Sequence, residues 1–125
     1  MRICFDIDGT ICTNRPNGDF DKAKPYKDII KYINDLYDSG HYIIFFTARG
    51  MWKCEGVIAK TYNMWYTITE AQLKKWGVKY HELHLGKPLG DVYVDDKAFR
   101  VPADGSGCKR LKSFLGKQKG TKHLR

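Results

Sequence analysis

Two aspartates stand two residues apart after a short apolar run, in the segment Asp6-Ile7-Asp8-Gly9-Thr10. In an extended chain, residues two apart point to the same face, so the two carboxylates can converge. Gly9 supplies a bend, because glycine adopts backbone angles that are closed to other residues. Carboxylates held close together repel each other unless a divalent metal, a lysine or a shared proton lies between them. The segment therefore predicts a site that needs a cation.

A second group of polar residues follows the apolar run of residues 41–46, which ends at Thr47 and leads to Arg49. A nearly continuous run of β-branched and aromatic residues predicts a strand buried on both faces of a parallel sheet. Ligands gather at the carboxyl ends of strands in open α/β sheets, so the Thr47 hydroxyl is a candidate ligand contact. Arg49 has two interpretations that the sequence leaves open. Its guanidinium binds an anionic part of a substrate, or it pairs with a nearby acid.

Further charged residues come later in the chain, where Lys87 follows one predicted strand and residues 91–96 (DVYVDD) predict another. A lysine beside an anionic nucleophile offsets the repulsion of an anionic substrate, although the same residue also fits a surface turn. Asp95 and Asp96 end the second of these strands. Adjacent acids at a strand end repel each other, whereas together with Asp6 they would form an oxygen-rich site for Mg²⁺.

The elements that position these groups alternate between strands and helices. Apolar residues at three- and four-residue spacing predict a helix from Tyr26 to a stop at Gly40. Capping-box spacing that begins at Thr67 predicts a second helix over residues 71–76. Residues 78–85 predict a strand between that helix and Lys87. This alternation is typical of an α/β domain.

Two segments have less regular patterns. Residues 11–24 are rich in Asn, Gly, Asp and Pro, which predicts a loop or a short hairpin flap after the first strand. Residues 51–66 hold four large aromatic side chains and are predicted to be helical in part. Their rings either pack in the core or stack on a base or sugar. Both segments follow predicted strands that end in candidate site residues.

The composition predicts one domain, because 125 residues with 42% hydrophobic content suit a single core. No apolar window is long enough to span a membrane, and Asp6 and Asp8 interrupt the N-terminal apolar run. We therefore expect a cytoplasmic protein, with its four widely spaced cysteines reduced. Of its 22 basic residues, seven lie in residues 109–125, which leaves 15 against 14 acidic residues elsewhere. This basic segment is interpreted as a solvated terminus or as a nucleic-acid contact.

Four groups of residues, in chain order, resemble the four motifs of the haloacid dehalogenase-like (HAD) phosphatases: Asp6 with Asp8, Thr47, Lys87, and Asp95 with Asp96. The resemblance implies an α/β fold, a single doubly wound, Rossmann-like HAD domain with a central, mostly parallel sheet. The flap at residues 11–24 would be its only cap and would leave the site open. We expect this domain to cover residues 1–108 and a basic, partly helical tail to cover residues 109–125.

The resemblance also implies a role for each residue. Asp6 would be the nucleophile that attacks phosphorus, and Asp8 the general acid and base. Thr47 and Lys87 would bind the phosphoryl oxygens and balance their charge. The implied cofactor is Mg²⁺, with these ligands: Asp6, the main-chain carbonyl of Asp8, Asp95, and Asp96 either directly or by holding the other groups in place.

These roles imply a Mg²⁺-dependent phosphomonoester hydrolase that forms an aspartyl-phosphate intermediate. The phrases around Thr47, Lys87 and Asp95 look most like small, minimally capped proteins of capsular and other surface-polysaccharide biosynthesis. That likeness indicates a sugar phosphate or a related small phosphate ester as substrate. Two alternatives stay open, a phosphatase of nucleotides or nucleic-acid ends and a noncatalytic binding domain of the same fold. The protein is predicted to be a monomer or a homodimer without a membrane partner.

Overall fold

The computed structural model describes residues 1–120, which form a small parallel sheet with helices between and after the strands. Its elements are β1 (Arg2–Phe5), α1 (Lys27–Asp38), β2 (Tyr42–Thr47), α2 (Ile58–Lys75), β3 (Glu82–Leu85) and α3 (Cys108–Gly116), with a 3₁₀ turn at Phe20–Lys22. The strand order is β1-β2-β3, and both pairings are parallel. The predicted α/β class and parallel sheet are confirmed. Within residues 1–120, no helix is long and apolar enough to cross a membrane.

One face of the sheet forms most of the core. Alternate strand residues point to this face and are buried: Ile3, Phe5, Ile43, Phe45, Leu83 and Leu85. Residues of the opposite parity are less covered, since Cys4 is exposed and Ile44 and Phe46 are only half-buried. The prediction that the second strand is buried on both faces is therefore wrong. The described part of the chain covers the second face of this three-stranded sheet only in part.

The first predicted helix is confirmed as α1, whose apolar stripe packs into the core. Ile29, Ile30, Ile33 and Leu36 are buried, as three- and four-residue spacing requires. α3 packs against α1 and buries its own residues Leu111 and Leu115. The first part of the predicted basic tail is thus a docked helix. Residues 121–125, the end of that tail, lie outside the described residues.

The second predicted helix has different boundaries in the structure. α2 runs from Ile58 to Lys75 without interruption, so the capping-box spacing at Thr67 lies inside a helix and starts none. No glycine or proline occurs between the two ends, so nothing in the backbone stops the helix earlier. The prediction of a separate helix over residues 71–76 is therefore wrong, and the helical part of residues 51–66 is the first half of α2.

Residues 91–96 do not form the strand that their apolar alternation predicts. Between β3 and α3, the 22 residues 86–107 contain no helix or strand. Val92 and Val94 are 75% and 96% exposed. Alternation is a local property of the sequence, whereas a strand exists only where a neighbour shares its main-chain hydrogen bonds. No strand of the described chain pairs with this segment.

A close approach between Gly50 and Trp65 fixes the turn that follows β2. Gly50 has a φ of +82°, and a methyl group at its Cα would overlap the Trp65 ring. We expect Gly50→Ala to lower the free energy of unfolding by about 1–3 kcal/mol through the positive φ and by a similar amount through the overlap. Gly40→Ala is the matched control, because Gly40 has a φ of +94° with open space around it. Equal losses for the two variants in urea denaturation would contradict the overlap.

Candidate active site

The ends of the three strands bring three of the predicted residues together. Asp6 directly follows β1, Thr47 is the last residue of β2, and Lys87 comes two residues after β3. The Lys87 main-chain N–H donates to the Thr47 carbonyl oxygen at 3.1 Å. The Lys87 ammonium lies 3.7 Å from Oδ2 of Asp6. The chain that leaves β3 therefore crosses the end of β2 and reaches the end of β1.

The Asp6 carboxylate lies in a mixed environment. Its Oδ1 accepts a hydrogen bond from the main-chain N–H of Ile7 at 2.8 Å. Burial raises the pKa of Asp6 above its ordinary 3.8, and the nearby Asp8 carboxylate acts in the same direction. Lys87 and the Ile7 N–H act in the opposite direction and offset part of this effect. The pKa of Asp6 is raised overall, so the fold disfavours the charged form of this carboxyl group.

This pKa shift predicts a pH dependence of stability. Because the pKa of Asp6 is higher in the folded than in the unfolded chain, ionised Asp6 lowers stability. This loss of stability is absent at pH values below the pKa of Asp6 in the unfolded chain, and it is complete above the pKa of Asp6 in the folded chain. Asp6→Asn removes this titration, so the unfolding free energy of the variant minus that of the wild type should be larger at pH 7 than at about pH 4. Chemical denaturation in a chelating buffer measures it, and an equal or smaller difference at pH 7 would contradict the shift.

A buried arginine holds the second aspartate. The Arg49 side chain is only 1% exposed and grips Asp8 with two nitrogens, Nε to Oδ2 at 3.1 Å and Nη2 to Oδ1 at 2.8 Å. The main-chain N–H of Arg49 also donates to the Thr47 hydroxyl oxygen at 3.0 Å. Of the two interpretations of Arg49, the structure shows the pairing with an acid. A direct contact between Arg49 and a substrate stays a prediction.

Two residues that the sequence analysis did not single out complete this arrangement. Nη1 of Arg49 donates to Oε1 of Gln72 at 2.6 Å, and Nε2 of Gln72 donates to the Phe20 carbonyl oxygen at 2.7 Å. The Arg49 guanidinium also lies over the Phe20 ring, 4.6 Å from its centre. Phe20 is the only aromatic residue in the polar flap, a signal that was available in the sequence. Gln72 carries no comparable signal.

A pocket of about 270 Å³ lies at the carboxyl edge of the sheet, and neither Lys87 nor Gln72 is among its lining residues. Its floor includes Asp6, Asp8 and Thr47, and one wall is formed by flap residues 14–18. The other lining residues are Phe20, Ala48, Arg49, Gly50, Trp52, Lys53 and Leu89. The predicted flap therefore borders the pocket that contains both aspartates. Of the aromatic residues in 51–66, Trp52 reaches the pocket and is 81% exposed.

Asp95 and Asp96 do not join these residues. Both are exposed, neither lines the pocket, and Oδ1 of Asp95 accepts the main-chain N–H of Lys97 at 2.7 Å. Their predicted position beside Asp6 depended on the strand over residues 91–96, which is not formed. The expectation that Asp95 and Asp96 share a site with Asp6 is therefore not met in the described structure.

The predicted Mg²⁺ takes about six oxygen ligands, and proteins hold it by one or two carboxylates while it keeps several waters. Across residues 1–120, no group of three or more Asp, Glu, His or Cys side chains could hold a metal ion. Both carboxylate oxygens of Asp8 already accept from Arg49, and Asp6 faces Lys87. Of the residues predicted to hold Mg²⁺, Asp6 and Asp8 line the pocket, and Mg²⁺ itself stays a prediction.

Comparison with known proteins supports the fold. No protein-family model and no curated protein matches this sequence. A crystal structure of an MCSG target from Vibrio cholerae is similar to it, with 28% sequence identity and a TM-score of 0.76. The match covers 95% of this chain and 100% of that chain. The description of that protein states its source and no activity, so the likeness bears on the architecture and not on a reaction.

Proposed function

We propose that this protein is a phosphomonoester hydrolase of the HAD type, with a doubly wound domain and Asp6 as its nucleophile. The observation that carries the proposal is the pair formed by Asp6 and Lys87 at the end of β1, with Oδ2 and Nζ 3.7 Å apart, beside an open pocket that Asp6 lines. A carboxylate nucleophile and a dianionic ester repel each other. A lysine placed between them lowers that repulsion, and this is the effect that the reaction most needs.

The proposed reaction has two steps. Asp6 attacks phosphorus, the bond between phosphorus and the ester oxygen breaks, and the leaving oxygen takes a proton from Asp8. Water then attacks the aspartyl-phosphate, gives a proton to Asp8, and releases inorganic phosphate and free Asp6. Thr47 and Lys87 would contact the phosphoryl oxygens during both steps. The bidentate contact with Arg49 holds the Asp8 carboxylate near Asp6, and Asp8 has to give up one of these two hydrogen bonds to donate or accept the proton.

The shape of the pocket favours a small ester or an exposed phosphate on a larger molecule. Flap residues 14–18 form one wall and the pocket stays open, so the group that carries the phosphate is able to extend into solvent. Sugar phosphates fit this arrangement and agree with the resemblance to surface-polysaccharide proteins. Mg²⁺ stays part of the proposal, with Asp6 and the main-chain carbonyl of Asp8 as the expected ligands at the pocket.

The test is phosphate release from a panel of sugar phosphates, nucleotides and 3′-phosphorylated oligonucleotides, with Mg²⁺ and with a chelator. We expect release in the presence of Mg²⁺, with sugar phosphates preferred. Preference for oligonucleotides that weakens steeply with salt would instead support the nucleic-acid alternative. No release from any ester would count against the hydrolase and for a binding domain.

A further inference from the structure

The flap is anchored to α2 through Phe20. The main-chain carbonyl oxygen of Phe20 accepts a hydrogen bond from Nε2 of Gln72 at 2.7 Å. The Phe20 ring stands edge-on to the Trp65 ring, with the ring centres 5.2 Å apart. Gln72 and Trp65 lie seven residues apart in α2, and so on the same face of this helix. α2 therefore holds Phe20 at two points, close in sequence to flap residues 14–18, which form one wall of the pocket.

The Arg49 guanidinium is held by Phe20 and Gln72. Its Nη1 donates to Oε1 of Gln72 at 2.6 Å, and its Cζ lies 4.6 Å from the centre of the Phe20 ring. Gln72 thus uses both ends of its amide, the nitrogen for the flap and the oxygen for Arg49. Contact with a ring face restricts the tilt of the planar guanidinium, and a hydrogen bond to one edge restricts its rotation. Arg49 is therefore positioned by the flap and by α2.

The orientation of Arg49 in turn sets that of Asp8. Two guanidinium nitrogens donate to the two carboxylate oxygens of Asp8, so the two planar groups align with each other. When Asp8 gives up one of these bonds to reach a leaving oxygen, the guanidinium keeps its contacts with Gln72 and Phe20. It is then able to hold the other carboxylate oxygen without moving. Proton transfer requires hydrogen-bond reach, so a small displacement of Asp8 would slow the reaction.

We propose that Phe20 and Gln72 are positioning residues, which set the orientation of the Asp8 carboxylate through Arg49. The flap thereby supports proton transfer to the leaving group in addition to forming the pocket wall. Gln72 does not line the pocket, so its effect on the reaction passes through Arg49 and not through a contact with the ester. The catalytic part of this inference rests on the proposed function, whereas the anchoring of Arg49 does not.

Hydrogen exchange at Arg49 tests the anchoring without reference to activity. The Nε–H of Arg49 is buried and donates to Asp8, so we expect NMR to show a side-chain signal that exchanges slowly with water. Gln72→Met removes both amide hydrogen bonds at similar side-chain volume, and Phe20→Leu removes the ring face. Each variant should speed this exchange by about tenfold or more.

The matched control for the exchange measurement is Tyr32→Leu. This variant also removes a half-buried ring that faces a cation, because the Lys112 ammonium lies 5.3 Å from the centre of the Tyr32 ring. It should change the exchange of the Arg49 Nε–H by less than about threefold, and any effect of a general loss of stability would appear in it as well. Fast exchange in the wild type, or exchange in Gln72→Met and Phe20→Leu no faster than in the control, would overturn the anchoring.

The nature of the leaving group tests the catalytic part. Benzyl phosphate and para-nitrophenyl phosphate both carry one aromatic ring. The nitrophenolate leaves without a proton, whereas the benzyl alkoxide needs one from Asp8. Gln72→Met should therefore lower kcat/KM by about tenfold for benzyl phosphate and by less than about threefold for para-nitrophenyl phosphate. Asp8→Asn should show a larger difference of the same kind, and Tyr32→Leu should show none.

The positioning role and the proposed function fail in different ways. Equal losses for the two esters in Gln72→Met, or no loss for either, would overturn the positioning role, because a merely structural change affects both esters alike. Equal losses in Asp8→Asn would show that Asp8 is not the acid, and the positioning role would fail with it. If the wild type releases no phosphate from any ester, the proposed function and the catalytic part both fail. The exchange rates still decide whether Phe20 and Gln72 anchor Arg49.

Discussion

Asp6→Asn is expected to lower kcat/KM for phosphate release by roughly a thousandfold or more. The amide is a far weaker nucleophile than the carboxylate, so the covalent intermediate no longer forms. The fold should survive, because the amide oxygen can still accept the hydrogen bond from the Ile7 N–H. Steady-state phosphate release, measured for wild type and variant with the preferred ester and Mg²⁺, checks this expectation.

The matched control is Asp21→Asn, which removes one negative charge at an exposed position outside the pocket. This variant should keep wild-type kcat/KM within about twofold, because an exposed charge outside the pocket is screened by salt. Retained activity in a folded Asp6→Asn protein would rule out Asp6 as the nucleophile. Thermal unfolding of both variants verifies that a loss of activity does not come from a loss of structure.

Arg49→Leu is expected to lower the free energy of unfolding by about 3 kcal/mol. The substitution removes a buried guanidinium that makes three hydrogen bonds, two of them to Asp8. The Asp8 side chain is 17% exposed, so water compensates part of the lost interaction. The expected loss therefore lies at the low end of the range for breaking a buried ion pair. Arg49→Lys should fall between the wild type and the leucine variant, because one ammonium cannot reproduce the two-point contact. Urea denaturation measures all three proteins.

A double-mutant cycle separates the pair from other effects of the substitution. Asp8→Asn alone leaves the buried guanidinium without its anionic partner and should also destabilise the fold. If the two side chains act mainly on each other, the double variant should lose at least about 1 kcal/mol less than the sum of the single losses. Strictly additive losses would show that Arg49 stabilises the fold through Gln72 and Phe20 instead. A residue that served only a substrate would leave stability unchanged.

Much of the pocket could be predicted because it depends on local patterns and on one topological rule. Asp6 and Thr47 follow apolar runs, and Lys87 follows a segment that ends in β3. Parallel strands carry their carboxyl ends to one edge, so residues at those ends converge whatever the details of packing. The amphipathic spacing of α1 is equally local, and it predicts a helix with one buried face.

The surroundings of Asp8 could not be predicted in the same way. Arg49 is 41 residues away from Asp8, and Gln72 is 52 residues away from Phe20. Their contacts depend on how α2 and the flap pack over the sheet edge, and no local pattern encodes that packing. The sequence left two partners open for Arg49, and burial of its guanidinium against Asp8 selected one of them.

Residues 91–96 show most clearly what a sequence pattern cannot predict. Alternating valine, tyrosine and aspartate express a tendency to be a strand, and this tendency is present in the chain itself. A strand also needs a partner for its N–H and C=O groups, and no strand of the described residues pairs with this segment. The order of side chains thus sets which segments are able to form strands. Three-dimensional packing sets which of these segments find a partner strand, because hydrogen bonds between strands join residues that are distant in sequence.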